Sequence, residues 1–141
     1  MKDKMVHQYK CDFCVKKKYS KFHMKNHEKY CTMNPDRKCR MCDLIEEEQQ
    51  PMGNLLSIFP QDLLKYYYKI RGKNEFIGLG ESDKLTDMFE PYLDELYKKV
   101  HNCPACIFAV IRQSGIYGLE IGFDYKKEIE DFWKKYNENL D

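Results

Sequence analysis

The spacing Cys11-x2-Cys14-x12-His27-x3-Cys31 gathers three sulfurs and an imidazole in a stretch too short to fold on buried apolar surface alone. Zinc takes four such donors at a tetrahedron, about 2.3 Å from sulfur and about 2.0 to 2.1 Å from imidazole nitrogen. Bound that way, the metal contributes on the order of 10 kcal/mol to the folding of a small segment. Two cysteines flanking two residues suit a tight hairpin turn. His27 and Cys31 stand one helical turn apart, so both aim at one ion from the same helix face.

Cys39-Arg40-Met41-Cys42 and Cys103-Pro104-Ala105-Cys106 are two further Cys-x-x-Cys pairs, far apart in the chain. The first follows the turn signal Asn34-Pro35, as a zinc knuckle requires, and the second opens a helix whose N-terminal N–H groups favour thiolate charge. Together they predict a second, four-thiolate zinc that ties both halves of the chain into one body by closing a loop across the linker. Two alternatives stand beside it. A pair at a helix start can lower a thiol pKa and serve thiol exchange, although the βαβ surroundings of a thioredoxin-like motif are missing; the plainer reading is unpaired buried thiols. His101 could replace one cysteine or stand as an exposed histidine at a helix end, and His23 is a competing ligand for the first site whose spacing of about two helical turns from Cys31 is long for one ion. His7 has no assigned role.

Tyr9, Cys11, Cys14, Met24, His27 and Cys31 resemble a ββα zinc finger in its Cys-Cys-His-Cys variant, with Tyr9 in place of the aromatic before the first cysteine and Met24 in place of the core leucine. The resemblance covers residues 9–31. One departure is that the second core aromatic falls on Lys18, with Tyr19 one residue late and Phe22 expected to take over the packing. The family implies nucleic-acid reading by Ser20, His23 and Asn26, with Lys21, Lys25 and Lys29 suited to phosphate. A lone finger buries too little surface for tight sequence-specific binding, and fingers of this variant also bind proteins. The four-cysteine set looks, more loosely, like a treble clef with a long insertion.

The elements that position these residues are mainly helical. A helix is expected over Gln61 to Ile70, halted by Gly72; a second from a Ser82 cap, with Pro91 kinking it or starting another through Val100; a third from Pro104 to Gly115; and a last from an Asp124 cap through Tyr136. Asn74 to Gly80 reads as a short extended piece or an apolar loop. The acidic stretch ending Gln50-Pro51-Met52-Gly53 reads as a linker, dividing the chain into a zinc-finger module at 1–43, a linker at 44–53 and a helical domain at 54–141. The expected fold class is mainly α, with a small zinc-stabilised α+β module at the front. The aromatic stripes of the helices read as core.

Charge is distributed unevenly. Met1 to Asp43 carries 12 Lys/Arg against 5 Asp/Glu, or +7, and Leu44 to Asp141 carries 12 against 18, or −6, which together give the net +1 of the 141-residue chain. Phosphate contact is therefore confined to the first third. No run of about 18 apolar residues occurs and Met1 to Lys10 is polar, so a membrane span and a secretory leader are not expected, and the cytoplasm or a host-cell interior is the expected location. In a reducing compartment the cysteines point to metal rather than to disulfides. No histidine lies between Asp43 and Val100 to serve a nuclease of the His-metal kind, and Gly78-Leu79-Gly80 is too short and apolar to cradle phosphate.

The expectation is a non-enzymatic two-zinc protein that contacts nucleic acid, or a protein that handles it, with no small-molecule substrate. A rival is an adaptor or inhibitor that works through its acidic helical part. The short length and the Lys/Tyr/Asn content are similar to small zinc proteins of bacteriophages and mobile elements, some of which block host enzymes. A thiol oxidoreductase is third.

Overall fold

In a computed structural model, residues 5–73 and 79–138 are described. The chain begins with a hairpin of β1 (Tyr9–Lys10) and β2 (Lys17–Lys18), antiparallel with Tyr9 opposite Lys18, followed by helix α1 (Lys21–Tyr30). Ser20 caps α1, its Oγ accepting from the N–H of His23 at 3.3 Å. Behind them come α2 (Arg40–Leu44), α3 (Met52–Leu56), α4 (Gln61–Lys73), α5 (Leu79–Lys99), α6 (Pro104–Gln113), a 3-10 turn (Gly118–Ile121) and α7 (Tyr125–Glu138). The described chain is mostly helical.

The main core is organised around α6. Proline at its first position costs no hydrogen bond, and Cys106, Ile107, Ala109, Val110 and Ile111 are all buried, so most of the helix circumference is enclosed. Helix α5 turns Leu85, Phe89, Leu93 and Leu96 inward, a stripe at helical spacing, and Val100 just past its end is buried as well. Phe59 meets Phe89 edge to face at 5.3 Å between centroids, and α7 docks through Tyr125, stacked on Phe108 of α6 at 4.1 Å. Cys39, Met41 and Cys42 belong to this same core. The finger has a separate, much smaller one: Cys11, Met24 and Cys31.

Several local expectations are corrected. Helix α5 is already helical at Leu79, so Ser82 lies inside it rather than at its cap: a capping hydroxyl serves only where the chain enters from extended backbone. Pro91 sits on the exposed side of a single helix without ending it. Helix α4 runs through Gly72, where the cost of glycine, about 1 kcal/mol, is outweighed by the packing of Leu63, Leu64 and Tyr67. Of the piece at Asn74 to Gly80, residues 74–78 lie outside the described residues and Leu79 and Gly80 are helical. Asp124 does cap α7, accepting from the N–H of Lys127.

Tyr67 supplies a pH prediction. Its hydroxyl donates to the Glu120 carboxylate and accepts from the Tyr117 N–H at 3.0 Å, and burial, reinforced by Glu120, pushes the phenol up to about 12. With an unfolded pKa near 10, the stabilisation is fully present below pH 10 and is lost as pH rises through 12; it amounts to roughly 2 kcal/mol. Tyr67→Phe should flatten this alkaline arm in urea melts taken between pH 9 and 12.

Candidate metal centres

The first group forms where the hairpin turn meets α1. The Cys11 N–H donates to the Lys16 carbonyl at 2.9 Å, closing the turn, while the N–H groups of Phe13 and Lys16 donate to the sulfurs of Cys11 and Cys14 at 3.4 and 3.5 Å. The turn thus aims an N–H dipole at each sulfur, and at Cys14 the cost of burial is outweighed by the Lys16 N–H with the neighbouring Cys11 and Cys31, which hold the thiol below its ordinary value. From the other side, His27 comes from the last turn of α1 and Cys31 from its C-cap, one residue beyond the helix. The four donor atoms lie within 4.8 Å of one another.

Their separations can be set against the metal geometry. A tetrahedron with the bond lengths zinc prefers has edges of about 3.8 Å between sulfurs and about 3.5 Å between sulfur and nitrogen. Here Cys11 Sγ to Cys31 Sγ is 4.0 Å and Cys14 Sγ to His27 Nε2 is 3.3 Å. All seven cysteines are unbridged. Partial burial, with Lys16 and Lys18 nearby, lowers the pKa of His27 below the ordinary histidine value, so its ring is neutral and free to ligate at pH 7. Burial pushes the Cys31 thiol up to about 11, and a cation at the centre of the group is what would offset that cost.

The second group draws on two distant pairs. Cys39 caps α2, its sulfur accepting from the Cys42 N–H at 3.4 Å, and Cys103 and Cys106 sit at the start of α6. Cys39 Sγ to Cys103 Sγ and Cys42 Sγ to Cys106 Sγ are both 3.5 Å, and all four residues are buried. The turn that delivers Cys103 holds His101 and Asn102 in left-handed backbone, at φ 53° and 62°. His101 is exposed and faces Glu47 at 3.4 Å, away from the sulfurs.

Two residues of this second centre escaped the sequence reading. Arg37 is only 6% exposed, its Nη1 lies 3.8 Å from Cys106 Sγ, and its Nε has no hydrogen-bond partner. Among the described residues no carboxylate pairs with it. Burial alone would lower its pKa, yet Cys39 and Cys106 hold it above the ordinary value. A buried guanidinium needs buried negative charge, and four thiolates around a divalent ion carry −2. Gln49 is the second: its Oε1 accepts from the Cys39 N–H and its Nε2 donates to the Arg37 carbonyl, both at 2.6 Å. The stretch expected as a linker thus supplies a clamp on the knuckle. Only the spacing of Arg37, two residues before Cys39, could have drawn notice.

Each group can therefore hold a metal ion. Replacing Arg37 by Met should lower metal affinity at the second centre by roughly 10- to 100-fold, since the countercharge outside the ligands is lost while the sulfurs stay. Competition with a chromophoric chelator, read centre by centre, checks this.

The nucleic-acid positions of the finger resemblance fall on two faces of α1. Lys21, Lys25 and Lys29 are exposed on one. His23 and Asn26, also exposed, open with Tyr30 onto a cleft shared with Arg40 and with Arg112 of α6. Ser20 is half-buried and engaged as the cap. The packing expected of Phe22 does not occur: it is 75% exposed and Tyr19 69%, and Met33, from beyond the motif, packs against the finger core instead.

No described helix is long and apolar enough to cross a membrane. Compared with protein-family models, with curated proteins and with solved structures, the chain matches none.

Proposed function

We propose that this is a non-enzymatic protein with two structural zinc ions, whose basic N-terminal finger contacts nucleic acid or a protein that handles nucleic acid. Zinc is favoured by the donor sets, three thiolates with one imidazole in the first group and four thiolates in the second, and by donor separations close to tetrahedral edges. Four protein ligands close each centre and leave no position for a substrate. Burial of Cys103 and Cys106, at 0% and 1% exposure, supports a structural role over thiol exchange, which needs an accessible thiolate.

The observation that carries the reading is the charge of the finger surface. Lys16, Lys17, Lys21, Lys25 and Lys29 are all exposed, while Glu28 is turned to the hairpin, accepting from the Asp12 N–H. These lysines outnumber the finger's carboxylates, Asp12 and Glu28, and the excess positive charge raises the local concentration of phosphate and drives salt-dependent binding. Gel-shift titrations with random DNA and RNA at low salt should show binding that weakens at least 10-fold in the triple variant Lys21→Glu, Lys25→Glu, Lys29→Glu. Absence of any wild-type shift would refute the nucleic-acid part.

A second reading, an adaptor or inhibitor, is favoured by a different surface. Tyr117 and Leu119, each 58% exposed, border an apolar pocket of about 480 Å³ floored by Phe108, Ile116 and Phe123. Under that reading the triple-lysine variant captures its protein partner as well as wild type does.

A further inference from the structure

The cleft between the finger and the helical body has the makings of a track for one strand of nucleic acid. Its volume is about 470 Å³, nucleotide-sized, and its walls carry Lys16, Lys18, His23, Asn26, Arg40 and Arg112. Among the described residues no carboxylate lines it. The first metal group forms part of its floor; with three thiolates and a divalent ion it carries −1, so the four Lys/Arg leave the cleft net positive. The cations are held in place from both sides: the Arg40 guanidinium lies 3.9 Å from the centre of the Tyr30 ring, and Arg112 donates to Thr32 Oγ1 at 2.7 Å. Gln113 fastens the finger's exit to α6, donating to the carbonyls of Thr32 and Asn34 at 2.8 and 3.1 Å.

A neighbouring depression, lined by Lys17, Lys18, Tyr19, Ser20 and His23, shares Lys18 and His23 with the cleft, so the basic surface runs on past the start of α1. Tyr19 lines it, and Phe22 meets His23 edge to face at 5.6 Å between centroids; these rings, 69% and 75% exposed, lie outside the finger core. Cations following a groove, with exposed rings alongside, are what a single strand uses: phosphates on the charges and bases on the rings. A duplex fits poorly. To enter a major groove about 12 Å wide, α1 would need its His23 and Asn26 face clear, and that face is shared with Arg40 and α6.

From these observations we infer that the cleft walled by Lys18, His23, Arg40 and Arg112, with Tyr19 and Phe22 as stacking platforms, binds single-stranded nucleic acid in preference to duplex. This rests on the finger being a nucleic-acid contact and names the form of nucleic acid it takes. The test is fluorescence anisotropy on the full zinc-loaded chain with a labelled 12-nucleotide single strand, in DNA and RNA versions, and with the matching DNA duplex. The single strand should bind at least 10-fold more tightly. Tyr19→Ala with Phe22→Ala, which leaves charge untouched, should weaken single-strand binding by roughly 10-fold or more and leave duplex binding unchanged. Lys18→Glu with Arg40→Glu should weaken both. All these side chains lie outside the two cores, and zinc content equal to wild type verifies that the variants are folded. Duplex binding as tight as single-strand binding, or a Tyr19/Phe22 variant indistinguishable from wild type, would overturn the single-strand assignment and leave the broader function standing. No binding to any of the three probes would overturn this assignment together with the nucleic-acid part of the proposed function.

Discussion

Changing Cys106 to Ser is expected to unfold the helical body, the largest effect of any single substitution in this chain. The four cysteines of the second centre are buried members of the main core, in the same cluster as Leu55, Phe59 and Ile107. Losing one ligand removes most of a metal-binding free energy of about 10–16 kcal/mol, comparable with the whole stability of a domain, about 5–15 kcal/mol. It also leaves Arg37 buried beside a diminished negative charge. Elemental analysis should then find one zinc per chain against an expected two in wild type, and the near-UV circular dichroism of the packed aromatic side chains should vanish. A strong chelator should do the same to wild type, reversed by added zinc. A Cys106→Ser protein that melts cooperatively within a few degrees of wild type would show that the second centre organises nothing.

Changing His27 to Ala should produce an effect of similar size locally and little elsewhere. The finger's own core amounts to Cys11, Met24 and Cys31, too little buried surface to order some twenty residues against their conformational entropy. Without the imidazole, the first metal is lost and residues 9–31 disorder. The body keeps its shape because its core and its four sulfurs are elsewhere. Hydrogen exchange should show α1 unprotected while α5 and α6 retain wild-type protection, and nucleic-acid binding should fall along with α1. Loss of protection in α6 as well would mean that the links from Thr32 and Asn34 to Arg112 and Gln113 couple the two parts far more tightly than hydrogen bonds at a surface normally do.

Read from sequence, both groups of four donors came out as the structure gathers them, because each Cys-x-x-Cys or His-x3-Cys pair is marked by residue type and short spacing. The same holds for α6 and α7, whose ends are marked by Pro104 and Asp124, local signals that act within a turn. The start of α5 and the continuation of α4 through Gly72 were not legible. There the local preference is worth only about 1 kcal/mol, and packing elsewhere along the helix prevails.

By itself, then, the chain's sequence determined which sulfurs and which imidazole belong together, that the front is basic and the remainder acidic, and that helices would carry the body. Tertiary structure alone decided that Arg37 is buried against the four thiolates, that Gln49 clamps the knuckle, that Phe22 faces water and that Arg112 closes a cleft over α1. The division has a physical reason. Ligand spacing and capping act over a few residues and are written in order along the chain, whereas a buried charge or a cleft wall depends on which distant segment arrives opposite it, and that is settled only when the whole core closes.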